Sequence, residues 1–89
     1  MDEVLIKLKI QLEILSWPEV YLFKFIVPSV ADNVDRVENA FDCMGAVIKT
    51  TKSKTGKFTS VSVDVQMKDA QEIIDKYIEV SVIEGIVSL

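Results

Sequence analysis

Four lysines, Lys49, Lys52, Lys54 and Lys57, fall within nine residues that hold no acid, in a chain of net charge −4. With the hydroxyls of Ser53 and Thr55 and the backbone of Gly56 between them, they have the makings of an anion contact for a phosphate, a single-stranded nucleic acid or an acidic partner. The plainer reading is that lysines keep an exposed turn and strand edge soluble and unpaired. Lys54-Thr55-Gly56-Lys57 is no P-loop, because the first glycine is missing and the segment joins two strands instead of opening a helix. Other chemistry is harder to assemble. Histidine is absent, which removes the commonest neutral-pH acid/base and the usual metal ligand. Cys43 is expected near the end of a helix, where the negative dipole end opposes a thiolate, so it reads as a packing or neutral residue. Asp32, Asp35, Glu38 and Asp42, and again Asp69, Glu72, Asp75 and Glu79, sit at helical spacing and read as solvated outer faces rather than a carboxylate pair. No nucleophile, base and orienting group can be named together, so the expectation is a non-enzyme with no catalytic residue, no metal and no cofactor.

The lysines are positioned by a hairpin. After Gly56, residues 58–67 alternate without a break, with Val61, Val63, Val65 and Met67 on one side and Phe58, Ser60, Ser62, Asp64 and Gln66 on the other. This is a strand with one buried face. Residues 46–53 read as its antiparallel partner, with Gly56 supplying positive φ in the turn. A third strand runs from Val20 to Val27. Its Tyr21, Phe23, Phe25 and Val27 belong under helices, and its Val20, Leu22, Lys24 and Ile26 belong on the second face.

Ser29 and Asp32 have the spacing of a capping box and predict a helix from there, with Val34, Val37, Ala40, Phe41 and Met44 inward and Gly45 as its C-cap. Asp69, with Glu72 three residues on, starts another helix, whose inner face is Ala70, Ile73, Ile74, Tyr77 and Ile78. Residues 86–89 make a last short strand. Residues 3–15 fit two templates: Val4, Ile6, Leu8, Ile10, Leu12 and Ile14 alternate like a strand, and Leu5, Leu8, Leu12 and Leu15 form a helical stripe. Good helix formers and Asp2 as a cap favour an N-terminal helical extension over residues 2–15, ended by Ser16-Trp17-Pro18, with Trp17 over the edge of the core.

The order, helix then β-α-β-β-α-β, predicts an α+β, ferredoxin-like sandwich in one domain over residues 1–89: four antiparallel strands with two helices on one face. The other face is too apolar around Lys24 to stand fully solvated, so either the N-terminal helix or a second subunit should cover it. Leu22, Lys24, Ile26, Phe58, Ser60 and Ser62 are the expected interface, and a homo-oligomer or an unknown protein partner the expected occupant. An RNA-recognition sheet needs aromatics two apart on its third strand; here Phe58 is followed by Ser60, Ser62 and Asp64, so nucleic acid is disfavoured, as the net charge also argues. An unpaired cysteine, an acidic start and no run of eighteen apolar residues point to a cytoplasmic chain outside the membrane.

Trp17-Pro18 leading into Phe23-Lys24-Phe25-Ile26-Val27-Pro28, the serine-rich turn and Gly56-Lys57 followed by Phe58-Thr59-Ser60-Val61, and the terminal Gly85-Ile86-Val87-Ser88-Leu89 resemble the YbeD-like family of small bacterial proteins, whose fold resembles the ACT regulatory domain. The resemblance spans nearly the whole chain, with Phe58 where that family carries a tyrosine. It implies a non-enzymatic, ACT-like cytoplasmic module that associates through its sheet. Effector-binding ACT domains place a glycine in the loop after the first strand; here that loop, residues 27–32, has none, Pro28 has no N–H, and Asp32 repels a carboxylate, so amino-acid binding is not expected there.

Overall fold

The computed structural model describes residues 3–89. In chain order it contains α1 (Glu3–Glu13), β1 (Glu19–Pro28), α2 (Asn33–Ala40), β2 (Val47–Lys52), β3 (Phe58–Met67), α3 (Ala70–Val80) and β4 (Val87–Ser88). The strands form one antiparallel sheet in the order β2-β3-β1-β4, as expected of a ferredoxin-like fold preceded by a helix. β1 and β3 pair along their whole length, from Glu19 opposite Met67 to Pro28 opposite Phe58. Burial along β3 alternates residue by residue, so the period-two pattern read from the sequence is the pattern in space.

The core lies between this sheet and the helices. Phe23, Phe25, Val27, Val61, Val63 and Met67 of the sheet are fully buried against Val37, Ile73 and Ile74. Five rings knit the layers together: Phe23 lies 4.9 Å from Phe41, 5.8 Å from Phe25, 4.8 Å from Tyr21 and 5.2 Å from Tyr77 between centroids. Thr59, on the buried side of β3, shares a 2.6 Å hydroxyl bond with Ser29. That bond pays for its burial.

The N-terminal segment is helical. Leucine spacing decides the matter, because Leu12 packs into the core with Leu5 and Leu8 beside it, and α1 lies against α3. Asp2, the expected cap, lies outside the described residues. The helix closes where the Trp17 indole N–H donates to the Leu12 carbonyl at 2.8 Å, satisfying one of the acceptors that a helix end leaves open. Trp17 is half-buried against the core, and its bond to Pro18 is cis.

The ends of α2 differ from the sequence expectation. Ser29 does not cap it, since its hydroxyl is turned to Thr59, and Asp32 holds the N-cap position without a side-chain bond to the helix. Asn33 ties the turn down instead, its amide donating to the Pro28 carbonyl at 3.0 Å. The C-terminus comes early: α2 stops at Ala40, and residues 41–45 turn through left-handed Cys43 and Gly45. The Ala40 carbonyl, which a continuing helix would give to the Met44 N–H, accepts from the Lys76 ammonium of α3, and Lys76 also lies 5.5 Å over the Phe41 ring. A cation suits that helix end. Cys43 is exposed and does not pack. On α3, Asp69 accepts from the Glu72 N–H at 2.8 Å as expected, but the inner face continues to Val80 and leaves Ile78 exposed.

Candidate functional site: the open sheet face

Among the described residues no helix covers the second face of the sheet. α1, the expected alternative cover, is packed on the helical side, so β1, β2 and β3 present their outward residues bare. The register sorts these into rows. Leu22, Asp64 and Val47 form one row, Lys24, Ser62 and Lys49 the next, and Ile26, Ser60 and Thr51 a third, with Val87 of β4 beside Ile26. Phe58 closes the face at one end opposite Pro28, and Val20 opens the other opposite Gln66. Val20, Leu22, Val47, Phe58 and Val87 each keep 48–58% of their surface in solvent.

Such a group of large apolar residues on one flat surface is more than scattered exposure explains. Near the hairpin the face dips into a shallow hollow of about 200 Å³ lined by Ile26, Thr51, Lys52, Ser53, Phe58 and Ser60. The Ser60 hydroxyl there leans on the Thr51 carbonyl at 3.4 Å. Electrostatically the face carries two cations, Lys24 and Lys49, astride Ser62, and one carboxylate, Asp64, in the adjoining row.

All six residues read from the sequence as an interface, Leu22, Lys24, Ile26, Phe58, Ser60 and Ser62, lie on this one surface. Sequence reading missed Val47, Thr51 and Val87, whose place on the face depends on strand register. The four hairpin lysines are dispersed. Lys49 belongs to the open face, Lys52 stands opposite Thr59 on the other parity of β2 but borders the hollow beside Phe58, and Lys54 and Lys57 sit in the turn. The turn spends several of its polar groups on itself: the Gly56 N–H donates to the Ser53 carbonyl at 3.0 Å, the Phe58 N–H to the Ser53 hydroxyl at 3.2 Å, and the Lys57 N–H to the Thr55 hydroxyl at 3.4 Å. The Gly56 N–H proposed for an anion is therefore already engaged. Among the described residues no group of histidine, cysteine or acid side chains has the arrangement of a metal site, and no helix is long and apolar enough to cross a membrane.

Comparison with known families supplies the context: the family described as Protein of unknown function (DUF493) matches residues 13–89. The chain belongs to that family. No curated protein and no solved structure matches the chain. The DUF493 match takes in all four strands, α2, α3 and the whole open face, and it begins at the last residue of α1. The sheet surface is thus part of what this chain shares with DUF493, whereas nearly all of α1 lies outside the match.

Proposed function

We propose that the protein is a small, non-enzymatic interaction module of the cytoplasm, regulatory in the manner of ACT-like domains, which pairs with a second copy of itself through the open sheet face. The observation that carries this reading is the bare apolar surface of Val20, Leu22, Ile26, Val47, Phe58 and Val87 on the side of the sheet opposite all three helices. A small domain gains stability by burying such a surface, and an identical copy offers the same flat, apolar complement.

Charge supports a two-fold arrangement. An axis that crosses the strands between the Leu22–Asp64–Val47 row and the Lys24–Ser62–Lys49 row sets Asp64 of each copy over the lysine row of the other. An axis along the strands would stack lysine on lysine. The first arrangement is therefore favoured. The hairpin lysines protect the exposed edge of β2 from pairing with further strands. Sedimentation equilibrium at micromolar protein tests the proposal: mass rising with concentration toward twice the chain mass is expected, and a strict monomer overturns it.

A further inference from the structure

On the helical side, away from the open face, a cleft of about 560 Å³ separates α1 from the body of the protein. Its size lies in the range of clefts that take small molecules, roughly 300–1,000 Å³. Val4, Leu5 and Leu8 of α1 and Leu89 give it apolar walls. At its inner side stand Tyr21 of β1 and Tyr77 of α3, their hydroxyls 3.0 Å apart.

A phenol carries one proton and can also accept. One tyrosine donates to the other, so the pair consumes a single proton and keeps a second for whatever enters the cleft. Burial, reinforced by the bond to Tyr21, pushes the Tyr77 pKa well above that of an ordinary phenol, which is itself protonated at neutral pH. Lys7 stands at the mouth, in a 3.6 Å pair with Glu3. Both side chains of that pair are mostly exposed, so it holds Lys7 only weakly. Among the described residues no acidic side chain lines the cleft, although acids outnumber cations in the chain by fourteen to ten.

We propose that this cleft binds a small, largely apolar molecule bearing a carbonyl-type acceptor, its body against the leucines and its acceptor on the tyrosine hydroxyls. A carboxylate gains the Lys7 charge in addition, which a primary amide does not. A ligand whose polar end is a cation finds no carboxylate side chain among the described lining residues. Because one wall is α1, the site belongs to this chain and not to the DUF493 match as a whole.

The test is calorimetric titration of the full chain with 6-phenylhexanoate, 6-phenylhexanamide and 6-phenylhexylammonium, accompanied by backbone amide NMR. The acid or the amide should bind at one site per chain, with shifts centred on α1, Tyr21 and Tyr77. The ammonium should bind at least about tenfold more weakly, the loss expected for one hydrogen bond. The double substitution Tyr21→Phe plus Tyr77→Phe keeps both rings and removes both hydroxyls. It should weaken the acid and the amide by about tenfold or more while the amide spectrum stays that of the folded chain. Lys7→Gln should weaken the acid and spare the amide. Absence of binding by both acceptor-bearing compounds, equal binding of the ammonium, or undiminished affinity in the double variant overturns the proposal.

Discussion

Single residues here do their work through geometry that can be probed one side chain at a time. Tyr77 keeps its proton beyond the ordinary phenol value of 10.0 because burial and the Tyr21 hydroxyl both disfavour the phenolate. The unfolded chain has no such restraint. Above about pH 10 it loses a proton that the folded chain retains, so stability should be level below that point and fall as pH rises past it. Ultraviolet difference absorbance should show Tyr77 ionising above the ordinary tyrosine range, and urea midpoints should move down over the same interval; a Tyr77→Phe variant should lose this alkaline component. Gly85 offers a second probe. Its φ is +80°, and a Cβ there would lie 2.8 Å from the Pro28 Cγ, whereas Gly56, at +74°, faces open space. Both alanine substitutions incur left-handed strain of roughly 1–2 kcal/mol. Only Gly85→Ala adds a clash with a rigid ring, so chemical denaturation should find it the costlier of the two by about 1 kcal/mol or more.

Elements were legible in the sequence wherever one pattern dominated. The alternation of residues 58–67 fixed a strand, its buried face and its outward face together, because a one-residue slip would have inverted every side chain. The Asp69–Glu72 cap was equally plain, and the bond is there. Where two local signals competed, tertiary contacts decided. Ser29 has the chemistry of a cap, yet a buried threonine hydroxyl thirty residues away claims it. The helix read as running to Met44 ends four residues earlier, where Cys43 turns left-handed and the Ala40 carbonyl accepts from Lys76 of another helix. No local periodicity encodes either contact. The candidate surface followed the same rule: parity placed Leu22, Lys24 and Phe58 correctly, but Val47 and Val87 joined them only through register, and the Tyr21–Tyr77 pair spans 56 residues. The two helix starts yield a direct comparison. Asp69→Ala removes a 2.8 Å bond to the Glu72 N–H and should cost about 1 kcal/mol, while Asp32→Ala removes no side-chain cap bond and should cost only a few tenths. Equal losses in thermal or urea unfolding would contradict the assignment of caps.

At the scale of the whole molecule, the helices bury one side of a four-stranded sheet and leave the other bare. The core is complete within one chain, because Phe23, Phe25 and the valines of β3 are enclosed on the helical side. The open side is then free for association. Its rows place two cations beside one carboxylate, and the proposed pairing uses that pattern to favour one orientation over the other. The central claim is self-pairing through this face, and sedimentation velocity of the native chain beside Leu22→Lys and Asp64→Lys measures it most directly. The account predicts a native dimer at micromolar concentration and folded monomers for both variants, since one substitution puts a charge into the apolar patch and the other sets lysine against lysine. A native monomer, or a dimer that both variants leave intact, would contradict it.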